Sequence, residues 1–287
     1  MNTRLHAIRR ALYDVQLSSA LPWTYLQSAI AGRWNREHYR ELRSFVLFIG
    51  NGRCGTSLLG SLLNAHRHVC IGHELNVLRY VARGYRRDQL LWLLVKQDAI
   101  FGQLGRQWTG YDYEVPNQWQ GRFEKLLVVG DKKAGLTSAM LGKRPGLLKK
   151  LEDRIRMPLR IIHLVRHPQN VITTMHRKQG WSLEAAADNF FGRCETNWRL
   201  MNERPETVHT LYLEELIAEP QRHLLDLCQF MGVEPLEDYL RDASSIVLAT
   251  PRQSRSAVPW PAELLRSVER RTAAFPYLAQ YEVEAAA

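Results

Sequence analysis

The residues best placed to do chemistry are Gly50-Asn51-Gly52-Arg53-Cys54-Gly55-Thr56-Ser57, set between the apolar run Phe45–Ile49 and a helical pattern of Leu58, Leu59, Leu62 and Leu63. A buried strand, a glycine-containing turn and a helix start together make an anion site. The first turn of a helix offers unpaired N–H groups, and glycine lets the backbone approach the anion. Gly52, Arg53, Cys54, Gly55, Thr56 and Ser57 are the binding candidates, with Arg53 as the cation. About a hundred residues on, Ile161–Val165 is followed by Arg166-His167-Pro168 and a second helical pattern. Pro168 suits a first helical position, where its missing N–H costs nothing. Thr174 follows Arg166 by about two helical turns, so a guanidinium and a hydroxyl are predicted to grip one phosphate from two sides.

Positioning these residues requires strands that end where the ligand sits. Buried strands are predicted over 45–49, 69–71, 126–129, 160–165 and 209–213. Helices are predicted over 56–64, most of 75–101, the stretch after Pro168, 183–202, 214–231 closed by Gly232, and 261–273. Residues 108–123 read as an aromatic loop. Alternating strands and helices imply an α/β fold: a central parallel sheet covered on both faces, with ligands beyond the carboxyl ends of the strands. The expected organisation is an N-terminal helical extension over 1–43 and one domain over 44–287.

The chain has 287 residues, is 45% hydrophobic and carries a formal net charge of +10. That length supports a full core, and the charge favours polyanionic partners: nucleic acid, a membrane surface or a phosphate-rich nucleotide. No nucleic-acid-binding signature accompanies it. Cys54, Cys70, Cys194 and Cys228 are scattered without metal or disulfide spacing, which implies a reducing, cytoplasmic setting. Cys54 is expected to have a lowered pKa from the helix N-terminus and to be open to alkylation. Asp14, Gln16 and Gln27 interrupt any membrane-spanning run. Arg4, Arg9 and Arg10 beside Leu5, Ile8 and Leu12 have the pattern of a peripheral lipid-touching helix, with docking on the chain's own domain as the simpler expectation.

The Gly50-x-x-x-x-Gly55 spacing matches the nucleotide-triphosphate P-loop, but Thr56 stands where that loop has lysine. A P-loop kinase or NTPase is therefore one alternative, and a non-catalytic nucleotide-binding module another. The pattern G-x-x-R-x-G-T-S-L-L resembles the phosphosulfate loop of sulfotransferases, which use 3′-phosphoadenosine 5′-phosphosulfate (PAPS). Arg166-x-Pro168 with Thr174 resembles their 3′-phosphate motif, threonine replacing serine. The stretch from Arg53 to Glu74 is similar to that of tyrosylprotein sulfotransferases and small bacterial sulfotransferases.

The resemblance implies PAPS as co-substrate, no metal, and Glu74 as general base, with His73 as the competing base after the cytosolic enzymes. A glutamine at Glu74 is expected to remove basicity with little effect on folding. The resemblance puts an active-site lysine in Gly130-Asp131-Lys132-Lys133: Lys132 by preference, with Lys133 open because Ala134 replaces the usual proline nearby. It also gives Tyr212 and Arg255 as nucleotide contacts. The implied activity is sulfuryl transfer to a hydroxyl of peptide tyrosine, carbohydrate, lipid or small molecule, the acceptor and the oligomeric state both left open.

Overall fold

The computed structural model describes residues 21–108 and 111–283. In chain order the elements are α1 (Leu21–Trp34), β1 (Ser44–Gly50), α2 (Thr56–Asn64), β2 (Val69–His73), α3 (Val77–Val81), α4 (Arg87–Gln103), β3 (Gln107–Trp108), β4 (Tyr111–Asp112), β5 (Val128–Lys132), α5 (Ala134–Lys143) and α6 (Gly146–Ile155). They continue as β6 (Leu159–Val165), α7 (Pro168–Gln179), α8 (Leu183–Glu203), β7 (Val208–Tyr212), α9 (Leu213–Ala218), α10 (Pro220–Met231), α11 (Glu237–Ser245) and α12 (Ala262–Ala273).

Every residue of β1 is buried, which is why the strand reads as an unbroken apolar run. Its alternating side chains serve two cores. Val46 and Phe48 pack with residues of α2, α7 and α8. Phe45, Leu47 and Ile49 pack with α3, α4 and α6. The main sheet has five strands in the order β2-β5-β1-β6-β7, and every pairing is parallel. From β1 the chain first sets β2 at one edge and inserts β5 between the two, then adds β6 and β7 on the other side. The switch point therefore falls at the carboxyl end of β1, where the crevice of an open α/β sheet forms.

Several predicted boundaries move for local reasons. The helix expected over 75–101 is two, because Gly84 takes φ 82° between α3 and α4. The helix expected over 214–231 breaks at Glu219-Pro220, since proline cannot continue a helix that precedes it. The third predicted strand, 126–129, pairs later than expected, so Gly130, Asp131 and Lys132 lie within β5. A Cβ at Gly130 would fall 2.5 Å from the Val46 carbonyl oxygen, so glycine alone fits there. The aromatic segment contains the short hairpin β3–β4. Helices α5, α6 and α11 were not foreseen.

In the expected N-terminal extension, α1 packs across α4: a Cβ at Gly32 would lie 2.6 Å from the Asp88 carbonyl oxygen. Arg4, Arg9 and Arg10 lie outside the described residues. Among the described residues no helix is long and apolar enough to cross a membrane.

Candidate functional site

The loop between β1 and α2 is held from beneath. The Gly50 N–H donates to Ser138 Oγ at 2.9 Å, and that hydroxyl donates to Asn197 Oδ1 at 2.6 Å. Arg53 (φ 72°) and Gly55 (φ 89°) are both left-handed, a conformation costing about 1–2 kcal/mol for a non-glycine residue. A Cβ at Gly55 would sit 2.7 Å from Leu213 Cδ1. These turns open the start of α2 onto a cavity of about 1060 Å³ lined by Gly52, Arg53, Gly55, Thr56 and Ser57. Cys54 is the exception: its side chain points into the core. Burial pushes its thiol up to about 12, so the low pKa and ready alkylation expected from sequence do not hold.

Arg166 leaves the end of β6 toward the same cavity, with Thr174 on α7 beside it. Arg166 Nη1 donates to the Arg53 carbonyl at 3.1 Å and Nη2 to the Arg252 carbonyl at 2.5 Å, while its buried Nε has no hydrogen-bond partner. Thr174 Oγ1 donates to the Asn170 carbonyl at 2.7 Å and lies 3.3 Å from Ser254 Oγ. Asn170 Oδ1 accepts the N–H groups of Ser254 and Arg255, at 2.7 and 2.9 Å. The late Arg- and Ser-rich segment is thereby strapped over α7. Arg255 joins the strap through its backbone, and its side chain is not among those lining the cavity; Arg252 is. The Arg252 guanidinium also lies 4.5 Å from the Tyr111 ring centroid. Tyr212 turns elsewhere: its hydroxyl donates to the Tyr277 carbonyl at 2.9 Å, and it does not line the cavity.

The third part of the site comes from β2 and β5, whose pairing sets His73 beside Lys132. Glu74, left-handed at φ 60°, turns its carboxylate to two ammonium groups. Lys132 Nζ donates to Glu74 Oε1 at 3.1 Å and to Ser57 Oγ at 2.9 Å; Lys133 Nζ donates to Glu74 Oε2 at 2.5 Å. Both lysines thus reach Glu74, and Lys132 also reaches Ser57 at the start of α2. The Lys132 stem crosses α2 at Gly60, where a Cβ would fall 3.0 Å from its Cγ. Burial alone would raise the Glu74 carboxyl, but the two lysines hold it well below the usual carboxylate range. Burial lowers the Lys132 ammonium, against the pull of Glu74. His73 is buried and stacked on Phe101, ring centroids 3.7 Å apart, outside the cavity lining; burial pushes its pKa well down.

Asp131, which sequence reasoning passed over, fixes this corner. Its carboxylate accepts the N–H of Leu75 at 3.1 Å and of Val77 at 2.6 Å, holding the turn that carries Glu74. Burial raises its pKa from 3.8 to about 7, against the pull of the Val77 N–H and the nearby lysines. Between those values the native state holds a proton that the unfolded chain has released. The contribution of Asp131 to stability is therefore full below pH 3.8 and declines as pH rises toward 7. Denaturant melts from pH 4 to 7 should show a smaller loss of stability with pH in Asp131→Asn than in the wild type. Parallel slopes would remove Asp131 as the titrating group.

Residues 46–238, two thirds of the chain, match the model of the sulfotransferase family. The chain belongs to this family. The sulfotransferase domain from the curacin biosynthetic pathway superposes with a TM-score of 0.53 at 18% identity, over 85% of this chain and 100% of that one. Sulfotransferase STF9 from Mycobacterium avium gives 0.51 at 10% identity, over 91% and 83%. Both are likenesses of fold. Among curated proteins none matches the chain.

In this sulfotransferase the cavity is strongly cationic, with seven basic residues against Glu74 and Asp112. Arg177, Lys178, Arg193 and Arg252 were missed in the sequence. Arg193 comes from α8, and its Nη1 lies 3.4 Å from where a Gly135 Cβ would be and 4.0 Å from one at Gly52. Its Nε is buried without a hydrogen-bond partner. Only its helical phase relative to Asn197, which holds the loop from below, signals this placement, and that needs the tertiary structure to read.

Proposed function

We propose that this enzyme moves the sulfuryl group of PAPS to an acceptor hydroxyl, with Glu74 as general base. The observation that carries the reading is the Lys132 ammonium joining Ser57 of the anion loop to Glu74. One cation links the place that holds a transferable anion to the group that takes a proton.

The residues fit a bisphosphorylated nucleotide. The orphaned Arg166 Nε and the Thr174 hydroxyl would hold a 3′-phosphate, and the N–H groups of the loop with Thr56 and Ser57 would hold the 5′ end. PAPS, when bound, supplies an activated sulfuryl group with a phosphate leaving group. Arg53, Lys132 and Arg193 would neutralise charge spread over the transferring oxygens, the main demand of such chemistry. Glu74 takes the acceptor hydroxyl proton on a carboxylate oxygen. In the ligand-free protein its two lysines hold that carboxylate weakly basic. An anion that draws either ammonium away raises its basicity, so occupancy of the loop and readiness of the base are coupled. Residues 44–287 would form the catalytic domain. Peptide tyrosine, carbohydrate, lipid and small-molecule hydroxyls all suit this chemistry as acceptors.

Incubation with labelled PAPS and fractionated cell extracts tests the proposal. Label should pass to an acceptor in the presence of EDTA, and ATP should not be hydrolysed, because Thr56 replaces the lysine that a triphosphate loop requires. Magnesium-dependent phosphate release from ATP, lost in Arg53→Ala, would establish the kinase or NTPase reading instead.

A further inference from the structure

A second feature lies at the opposite end of the sheet. A groove of about 920 Å³ is lined by residues that precede β1 (Arg36, Arg40), by the α3–α4 turn and the start of α4 (Arg86, Arg87), and by α6 and its exit (Lys150, Arg154, Arg156). Arg40 and Arg156 lead into the amino ends of β1 and β6, whereas the catalytic cavity lies beyond the carboxyl ends. Seven basic residues face two acidic ones in this groove. Those two are already committed: Asp88 pairs with Arg36 at 2.9 Å and with Arg87 at 3.5 Å, and Asp153 pairs with Lys149. Arg86, Lys150, Arg154 and Arg156 are exposed and form no ion pair among the described residues.

Beside the groove runs α1. Its inner side is fastened to α4: Gln89 Nε2 donates to the Tyr25 carbonyl at 3.0 Å and to Ser28 Oγ at 3.1 Å. The other side carries apolar side chains that nothing among the described residues covers. Trp23, Leu26, Ile30 and Trp34 are 71, 51, 46 and 81% exposed, and their spacing puts them on one stripe of the helix. Trp34 is two residues from Arg36, so the stripe runs into the groove.

We infer that this stripe and groove form one surface that docks on an anionic membrane. Tryptophans at both ends of an exposed apolar stripe suit the boundary between headgroups and acyl chains. The adjoining cations meet the negative headgroups. A second copy of the chain is a poorer occupant, since it brings the same net charge of +10. Nucleic acid would answer the charge and leave the stripe uncovered. Docked this way, the catalytic cavity faces away from the lipid.

The full chain is sedimented with vesicles of phosphatidylcholine alone and of phosphatidylcholine mixed with phosphatidylglycerol. Binding should require phosphatidylglycerol and weaken with salt. Lys150→Gln with Arg154→Gln should weaken it about fivefold for each basic residue removed, and Trp23→Ser with Trp34→Ser should lose it. Both double variants should keep the wild-type melting temperature and affinity for adenosine 3′,5′-bisphosphate, since these side chains are exposed and far from the cavity. The inference is overturned by no binding to mixed vesicles, by equal binding to neutral ones, by undiminished binding of the tryptophan variant, or by binding to an oligonucleotide but not to vesicles. A dimer that the tryptophan variant dissociates, without vesicle binding, would assign the stripe to self-association and overturn it equally.

Discussion

Glu74→Gln should lower turnover by about 10²–10⁴, the usual range for loss of a general base, while binding of adenosine 3′,5′-bisphosphate persists. The same change should also lower the stability of the ligand-free protein. Lys132 is 1% exposed and relies on Glu74 as its counter-charge. Removing one partner of a buried pair typically costs about 3–5 kcal/mol, and the partial exposure of Glu74 argues for the low end. The expectation of unchanged folding, drawn from the isosteric shape of glutamine, is thus revised by the surroundings of Lys132. Because the folded pKa of Glu74 is depressed, its stabilisation is complete above 4.5 and fades only as pH falls below that value. Turnover and binding should therefore be compared near neutral pH, with melting followed separately. His73→Gln is the control, and it should turn over normally because the ring is stacked on Phe101 away from the cavity. An active Glu74→Gln beside a dead His73→Gln would reverse the assignment of the base.

Arg166→Ala should weaken adenosine 3′,5′-bisphosphate by about 10–150-fold, the equivalent of one charge-assisted hydrogen bond of roughly 1.5–3 kcal/mol. Binding of AMP, which lacks the 3′-phosphate, should change far less, so the preference between the two ligands should collapse. Arg166 also holds the carbonyls of Arg53 and Arg252, and any loosening of the strap would weaken both ligands alike. The ratio of affinities, measured by calorimetry, separates these effects. Thr174→Ala should have a smaller effect, since it removes a neutral hydroxyl already bonded to the Asn170 carbonyl. An Arg166→Ala protein that still prefers the bisphosphate by the wild-type ratio would refute the 3′-phosphate assignment.

Much of this was legible in the sequence because it is local. A strand, a turn and a helix start are consecutive, so Gly50 to Ser57 declares its conformation. Arg166, Pro168 and Thr174 are likewise fixed by one strand end and two helical turns. The parallel α/β fold follows from buried runs alternating with amphipathic ones.

Side-chain direction at the ends of elements was not legible. Cys54 sits in the loop between β1 and α2 but turns inward, because the left-handed residues on either side of it, Arg53 and Gly55, rotate the backbone. Tyr212 ends β7 with its hydroxyl on Tyr277, a partner 65 residues away. Neither the union of Lys132 with Ser57 and Glu74 nor the approach of Arg193 to Gly52 exists in any short stretch of chain. The first depends on the β2–β5 register and on the space left by Gly60, and the second on how α8 packs over the loop. The sequence determined the glycine-containing turn after β1, the strand end and helix that carry Arg166 and Thr174, and the kind of sheet that presents them, because local periodicity and backbone chemistry suffice for those. Only the tertiary structure decided which charges meet, because strand register and packing bring together groups that the chain keeps far apart.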